Sequence, residues 1–184
     1  MTTSTNGNSP SATIVGQGQG GMHLAFGLLK EGWDVTLISD RTPEQMLTSP
    51  AMASHGLHAR SMEFEAEVGI DIYKDLPDHL QDGLEFKLSS DGRNPEISLH
   101  SYFVRRMRAV DSRLKTALLL EEFERRGGNI RYERATLDDV ETFAEKGPVF
   151  MATGKGELGK FFDDVEFSLV RRARHIEAGV RTRG

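Results

Sequence analysis

Three glycines, Gly16, Gly18 and Gly21, have the spacing G-x-G-x-x-G between a short apolar run and an amphipathic stretch. In that context the pattern is the fingerprint of a dinucleotide-binding turn. The first glycine permits a tight turn out of a strand, the second lets the backbone approach a pyrophosphate, and the third lets a helix pack closely on the strand. The helix N-terminus then offers free N–H groups and a positive dipole end to the phosphates.

An acidic residue follows near the end of the next predicted strand. Asp40 lies 19 residues after Gly21, near the position where an acidic side chain binds an adenosine ribose hydroxyl in such folds. A turn or helix-capping role for Asp40, just before residues 42–44, is an equally good interpretation. If the dinucleotide were NADP, Arg41 would instead meet its 2′-phosphate.

Other chemistry-bearing residues do not form a recognisable constellation. His55 and His58 have no third ligand nearby, so the sequence predicts no metal site. No nucleophile elbow or Ser/His/Asp arrangement emerges, and no acid–base pair is evident. The chain has no cysteine, which excludes disulfides, thiolate nucleophiles and cysteine-ligated metals.

The glycine turn requires a strand before it and a helix after it. Residues 12–15 are short, β-branched and apolar, as a buried parallel strand should be. The helix that starts at Gly21 places its leucines on one face and is expected to end at Gly32. Residues 35–38 then predict the second strand. Together these segments form a βαβ unit.

The rest of the chain predicts further α/β elements and one antiparallel piece. Alternating apolar residues on both sides of Asp91-Gly92 indicate the hairpin, because that dipeptide favours a tight turn. The predicted elements are a loop over residues 42–55, a helix over 58–68, a hairpin over 83–103, a helix from 111–112 to 125–128, and strands at 130–132 and 148–151.

Composition limits the class of protein. The 184 residues are 38% hydrophobic and 28% charged, which suits one ordinary soluble domain. No apolar run approaches the roughly 18 residues of a membrane span, so no membrane partner is expected. Residues 171–184 carry net charge +4 and the remainder −9, and an acidic body argues against a nucleic-acid partner. The cysteine-free sequence suits a cytoplasmic location.

Several segments together resemble a known family. These are the glycine fingerprint and residues 35–44, 109–114, 124–128 and 152–155. They resemble the oxygenase component of styrene and indole monooxygenases, which are FAD enzymes of the p-hydroxybenzoate-hydroxylase fold. The resemblance implies a Rossmann-like FAD/NAD(P)-binding domain of glutathione-reductase type with an inserted antiparallel β-hairpin.

The resemblance also divides the chain. Residues 1–11 would be a disordered N-terminal tail, residues 12–162 the FAD-binding domain with its β insertion at about 83–103, and residues 163–184 an atypical basic tail.

The resemblance assigns cofactor-binding roles by position but no catalytic residue. The three glycines would cradle the FAD pyrophosphate. The segment Ser39-Asp40-Arg41 would lie at the adenosine ribose, and Thr153 and Gly154 would form a second turn beside the cofactor. Arg108 or Arg113 would approach the phosphates, with a surface or salt-bridge role equally compatible with the sequence. The residues implied to bind FAD are thus Gly16, Gly18, Gly21, Ser39, Asp40, Arg41, Arg108, Arg113, Thr153 and Gly154.

The implied chemistry is oxygen activation on reduced flavin. A flavin C4a-hydroperoxide would transfer one oxygen atom to an aromatic alkene such as styrene or indole, and the protein would bind, orient and shield the cofactor. Enzymes of this family receive reduced FAD from a separate NADH-dependent flavin reductase. The expected partners are therefore that reductase and a small aromatic substrate, and a homodimer is compatible with the sequence.

The sequence stops resembling the family after residues 161–162. Members are longer, so the chain is expected to be truncated and weakly active or inactive alone. Two alternatives stay open at this point. One is an NAD(P)-binding oxidoreductase, which the hairpin and the turn at residues 152–154 disfavour. The other is a non-catalytic dinucleotide-binding remnant that would need an oligomer or a partner chain.

Overall fold

The computed structural model describes residues 9–50, 54–75, 80–90, 92–154, 158–159 and 176–181. The predicted N-terminal tail lies outside these ranges up to residue 8, and the predicted basic tail does so except for residues 176–181. The described helices and strands are β1 (Ser11–Val15), α1 (Gln19–Lys30), β2 (Asp34–Ser39), α2 (Pro43–Thr48), β3 (Ser54–Leu57), α3 (Ala59–Glu67), β4 (Leu80–Leu88), β5 (Ile97–Asp111), α4 (Ser112–Arg125), β6 (Asn129–Tyr132), α5 (Leu137–Ala144), β7 (Val149–Met151) and β8 (Ile176–Arg181).

One of the two sheets in the fold is parallel and four-stranded, with strand order β6-β2-β1-β7. Its central strands are apolar on both faces because helices cover both. On one face, Ile14 and Leu37 pack with Phe26 of α1 and Phe123 of α4, whose rings meet edge to face at 5.6 Å. On the other face, Val15 and Ile38 belong to a smaller core that includes a phenylalanine of α5.

The other sheet is antiparallel and four-stranded, with strand order β3-β5-β4-β8. β4 and β5 are the predicted hairpin, and they extend beyond it to residues 80 and 111. β5 is longer than predicted because its second half pairs with β3. The predicted α/β fold, a Rossmann-like parallel sheet with an inserted antiparallel hairpin, is confirmed.

Part of the segment predicted as a basic tail is a strand. β8 pairs antiparallel with β4, from Ile176 opposite Leu88 to Arg181 opposite Gly83. The residues of β8 alternate in polarity, but the arginines around them make basic charge the stronger signal in this segment. Extended segments of this kind depend on a neighbouring strand, which composition alone does not reveal.

Two short helices were not predicted. α2 lies in the segment 42–55 that was predicted as a loop, and α5 follows β6. Each begins with a capping box: Thr42 with Gln45 for α2, and Thr136 with Asp139 for α5. Reciprocal bonds of this kind satisfy free amides at a helix start. The signature was present in the sequence, but each helix is too short to show a clear apolar period.

Arginines at the end of α4 connect it to the end of α3. Arg126 donates hydrogen bonds to the backbone carbonyls of Val68 and Gly69. The guanidinium also lies 5.0 Å from the centre of the Phe26 ring. Both Arg125 and Arg126 pair with Glu122.

The pairing of Glu122 with the two arginines contributes a stabilisation that is lost at acid pH. The hydrogen bond from Arg125 is the main reason why the pKa of Glu122 is lowered from 4.5 to about 2. Folding therefore favours the charged carboxylate, and its stabilisation is present above pH 4.5 and lost as the pH falls towards about 2. We expect the Tm of a Glu122→Gln variant to fall less than that of the original protein between about pH 5 and pH 3. Thermal unfolding followed by circular dichroism measures this.

The matched control is Glu121→Gln at the exposed neighbouring position. Its Tm should follow the pH dependence of the original protein. The same pH dependence in all three proteins would contradict the role given to Glu122.

Candidate functional site

A cleft of about 360 Å³ lies where β1, β2 and β7 end. In open parallel sheets, ligands bind in the crevice outside the carboxyl ends of the strands. Six of the ten residues predicted to bind the cofactor line this cleft. They are Gly16, Gly18, Asp40, Arg41, Thr153 and Gly154.

Gly16 and Gly21 bring the chain segments behind the cleft into close contact. Gly16 has a φ of +116°, and a Cβ there would stand 2.5 Å from the carbonyl oxygen of Ala152. A Cβ on Gly21 would overlap the carbonyl oxygen of Gly16. Gly21 thus lies behind the turn rather than in the cleft. Both glycines are needed for the backbone geometry itself.

Gly18 has a different role. It is the N-cap of α1 with φ −63° and ψ 174°, a conformation open to any residue. A Cβ built on it meets nothing within 4 Å, because the position faces the open cleft. The first-turn N–H groups of α1 begin beside it, and such groups have no partner within the helix. This arrangement has room for an anionic group at the helix start.

The opposite wall is the turn after β7. The backbone N–H of Ala152 donates to the carbonyl of Val15 at 2.8 Å, which ties this turn to the end of β1. Thr153 and Gly154 follow, and Gly154 has a φ of +57°. The short predicted strand at 148–151 therefore ends at the cleft, as its position in the sheet requires.

The segment after β2 divides between the cleft and the interior. Ser39 is buried, and its hydroxyl donates to the carbonyl of Arg41 at 2.7 Å. Asp40 and Arg41 reach the cleft, each with 43% of its side chain exposed. The carboxylate of Asp40 accepts a hydrogen bond of 2.5 Å from the side-chain amide of Gln17.

The two arginines predicted to approach the phosphates lie elsewhere. Arg108 is 5% exposed and pairs with Asp71 at 2.7 Å. Arg113 pairs with Asp111, the N-cap of α4, and donates to the carbonyl of Ser49 at 2.9 Å. The Arg113 guanidinium is the main reason why the pKa of Asp111 is lowered to about 2. Both arginines are salt-bridge partners, and neither lines the cleft.

Several cleft residues were missed in the sequence. Gln17 occupies a variable position of the glycine motif, and Glu133 follows β6 as Asp40 follows β2. Because carboxyl ends of parallel strands meet at one edge, the strand predicted at 130–132 could have indicated Glu133. Val15 and Ala152 stand directly beside predicted residues, at the end of the first predicted strand and at the start of the predicted turn at 152–154. The lining residues outside the predicted cofactor-binding set are Val15, Gln17, Ile38, Met46, Thr116, Glu133, Arg134, Ala135, Ala152 and Leu158.

Two other kinds of site are absent from the part of the chain that the structure describes. Within those ranges, no three histidine, aspartate or glutamate side chains come together as a metal site would require. No helix within the same ranges has both the length and the apolar character needed to cross a bilayer.

Two curated relatives have sequences similar to this chain. Styrene monooxygenase StyA of Pseudomonas fluorescens is 29% identical over 151 residues, which are 82% of this chain and 35% of that enzyme. Styrene monooxygenase StyA of a Pseudomonas sp is 28% identical over the same shares of both chains. The predicted resemblance to the styrene monooxygenases is confirmed. The chain spans about a third of the length of these styrene monooxygenases. No protein-family model matches it.

Solved structures with the same fold include flavin-dependent enzymes. FqzB superposes with a TM-score of 0.54 at 18% identity, over 70% of this chain and 30% of FqzB. The flavin-dependent halogenase CmlS superposes with a TM-score of 0.52 at 18% identity, over 68% of this chain and 23% of CmlS. The flavin-dependent monooxygenase PieE, in complex with FAD and substrate, superposes with a TM-score of 0.51 at 19% identity. The match covers 68% of this chain and 24% of PieE. At these identities the likeness concerns the fold.

Proposed function

We propose that this chain binds FAD in the cleft and is the FAD-binding part of a flavin-dependent monooxygenase of the styrene monooxygenase type. Residues 12–162 would be the FAD-binding region. The observation that carries the proposal is Gly18, whose missing side chain leaves open space between the start of α1 and the turn at Thr153. The sequence similarity to two styrene monooxygenases supports it.

The residues of the cleft fit such a cofactor. The free amides at the start of α1, beside Gly18, would hold the pyrophosphate. Asp40 would accept a hydrogen bond from a ribose hydroxyl. Thr153 and Gly154 would enclose the opposite side, while Met46 and Leu158 supply apolar contact. The chain thus binds, orients and partly shields the flavin.

Bound reduced flavin would supply oxygen activation, which leads to transfer of one oxygen atom to an aromatic alkene. The proposal includes a separate NADH-dependent reductase as the source of reduced FAD, a small aromatic substrate, a homodimer and a cytoplasmic location. The full reaction is proposed for a protein in which this chain forms the cofactor-binding part.

A titration of purified protein with FAD tests the proposal. We expect micromolar binding with altered flavin absorbance and fluorescence, and no displacement of FAD by NADPH. If the protein bound NADPH and ignored FAD, the proposal would be wrong and an NAD(P)-binding reductase would be favoured. If it bound neither, the proposal would also be wrong.

A second candidate is a non-catalytic dinucleotide-binding module that works with another chain. It is favoured by apolar side chains exposed on β5, among them Ile97, Leu99 and Val104. Assays with styrene and indole, with an added flavin reductase, separate the two candidates. Oxygenated product would support the monooxygenase and contradict the module, whereas FAD binding without product is expected of both candidates when this chain is assayed alone.

A further inference from the structure

We propose that Gln17 is a positioning residue that holds the Asp40 carboxylate in place to bind the ribose of a dinucleotide. The inference rests on the proposed function, because it refines how the same cleft recognises its ligand. Gln17 stands between the first two glycines of the motif, where the side chain has no part in the turn geometry. Its contact with Asp40 is therefore not explained by the turn itself.

The contact joins the two sides of the cleft. Gln17 follows β1 and Asp40 follows β2, and the amide nitrogen of Gln17 lies 2.5 Å from Oδ1 of Asp40. A carboxylate only accepts hydrogen bonds, so the NH₂ end of the amide must face it. Gln17 is only 8% exposed, so neighbouring atoms limit the conformations of its side chain. The buried side-chain amide of Gln17 thus orients the half-exposed carboxylate of Asp40.

The geometry assigns different tasks to the two oxygens of Asp40. Oδ1 accepts from Gln17 and also lies 3.4 Å from Nε of Arg41. Among the described residues, none donates a hydrogen bond to Oδ2 of Asp40. Since the side chain lines the cleft, Oδ2 is available to a ribose hydroxyl.

Side chains of both charge signs line the cleft. Glu133 reaches the same cleft from the end of β6, and its backbone N–H donates to the carbonyl of Ser39 at 2.9 Å. Asp40 and Glu133 can both accept hydrogen bonds from ribose hydroxyls. Two arginines, Arg41 and Arg134, line the same cleft, so its charges do not by themselves select against a phosphate. Holding Asp40 in place keeps one of these carboxylates directed at the sugar.

The test compares ADP with dideoxy-ADP, which lacks both ribose hydroxyls, by isothermal titration calorimetry. The original protein should bind ADP about tenfold more tightly than dideoxy-ADP, as expected for hydrogen bonds to a charged acceptor. In Gln17→Ala the preference should shrink to about twofold or less, through weaker binding of ADP. Combining Gln17→Ala with Asp40→Asn should reduce the preference no further than Asp40→Asn alone.

Two more variants complete the design. Gln17→Glu keeps the size of the side chain and places like charges together, so its preference for ADP should be no larger than that of Gln17→Ala. Gln19→Ala is the matched control, because Gln19 lies in the same turn but donates to Glu65 instead. It should retain the full preference.

The outcomes separate this inference from the proposed function. If Gln17→Ala weakens ADP and dideoxy-ADP equally, Gln17 has only a structural role and the inference is wrong, even though FAD binding stands. The inference is equally wrong if the original protein binds neither nucleotide or does not distinguish them. Absence of FAD binding with the ADP preference intact would contradict the proposed function alone.

Discussion

A Lys115→Met variant is expected to lose about 3–5 kcal/mol of unfolding free energy, because it leaves a buried carboxylate without its counter-charge. Lys115 of α4 and Glu65 of α3 form an ion pair in which the side chains are 5% and 0% exposed. Among the residues that the structure describes, the other polar side chains beside the Glu65 carboxylate are Gln19 at 3.2 Å and His23 at 3.7 Å. Neither supplies a permanent positive charge. Urea unfolding followed by circular dichroism measures the loss.

Two controls identify buried charge as the cause. A double variant, Lys115→Met with Glu65→Leu, removes both charges and should lose less stability than Lys115→Met alone. Arg105→Met breaks an exposed ion pair with Glu63 and should have a much smaller effect. A single Lys115→Met variant as stable as the double variant would contradict the explanation.

A Gly18→Ala variant is expected to bind FAD at least about tenfold more weakly while keeping its fold. Alanine suits the backbone conformation of Gly18, and its Cβ meets no protein atom within 4 Å. The methyl group would instead occupy the space in which a pyrophosphate approaches the backbone. Flavin fluorescence titration measures the affinity, and thermal unfolding checks the fold.

The controls separate ligand contact from helix stability. Alanine is a poorer N-cap than glycine, whereas serine is a good one. Gly18→Ser should therefore keep the helix start and still weaken FAD binding. Gly20→Ala adds a methyl group two residues further on, within α1 and outside the cleft, and should leave binding unchanged. Unaltered affinity in both Gly18 variants would show that the cofactor does not approach this residue.

The parallel sheet and the glycine turn were predictable because their signals are local. Buried parallel strands are continuous apolar runs, and residues 12–15 and 35–38 show this directly. Gly16 meets Ala152, which lies far away in the sequence. Even so, the motif indicated the turn, because the requirement for glycine is imposed by the backbone at that point.

The cleft was only partly predictable, because long side chains choose partners that the sequence does not specify. Arg108 and Arg113 pair with Asp71 and Asp111 instead of facing the cleft. Gln17 and Glu133 reach the cleft only through the pairing of β1, β2 and β6. Such contacts follow from sheet order, which composition and spacing do not determine.

The order of strands in the parallel sheet has a consequence for synthesis of the protein. β1, the first strand described, lies between β2 and β7, and the turn after β7 supplies one wall of the cleft. The antiparallel hairpin must be translated between them. A nascent chain on the ribosome therefore carries the glycine turn long before it can retain a nucleotide. The cleft becomes complete only after residue 158 has left the exit tunnel, and until β7 has emerged β1 exposes an unpaired edge to chaperones.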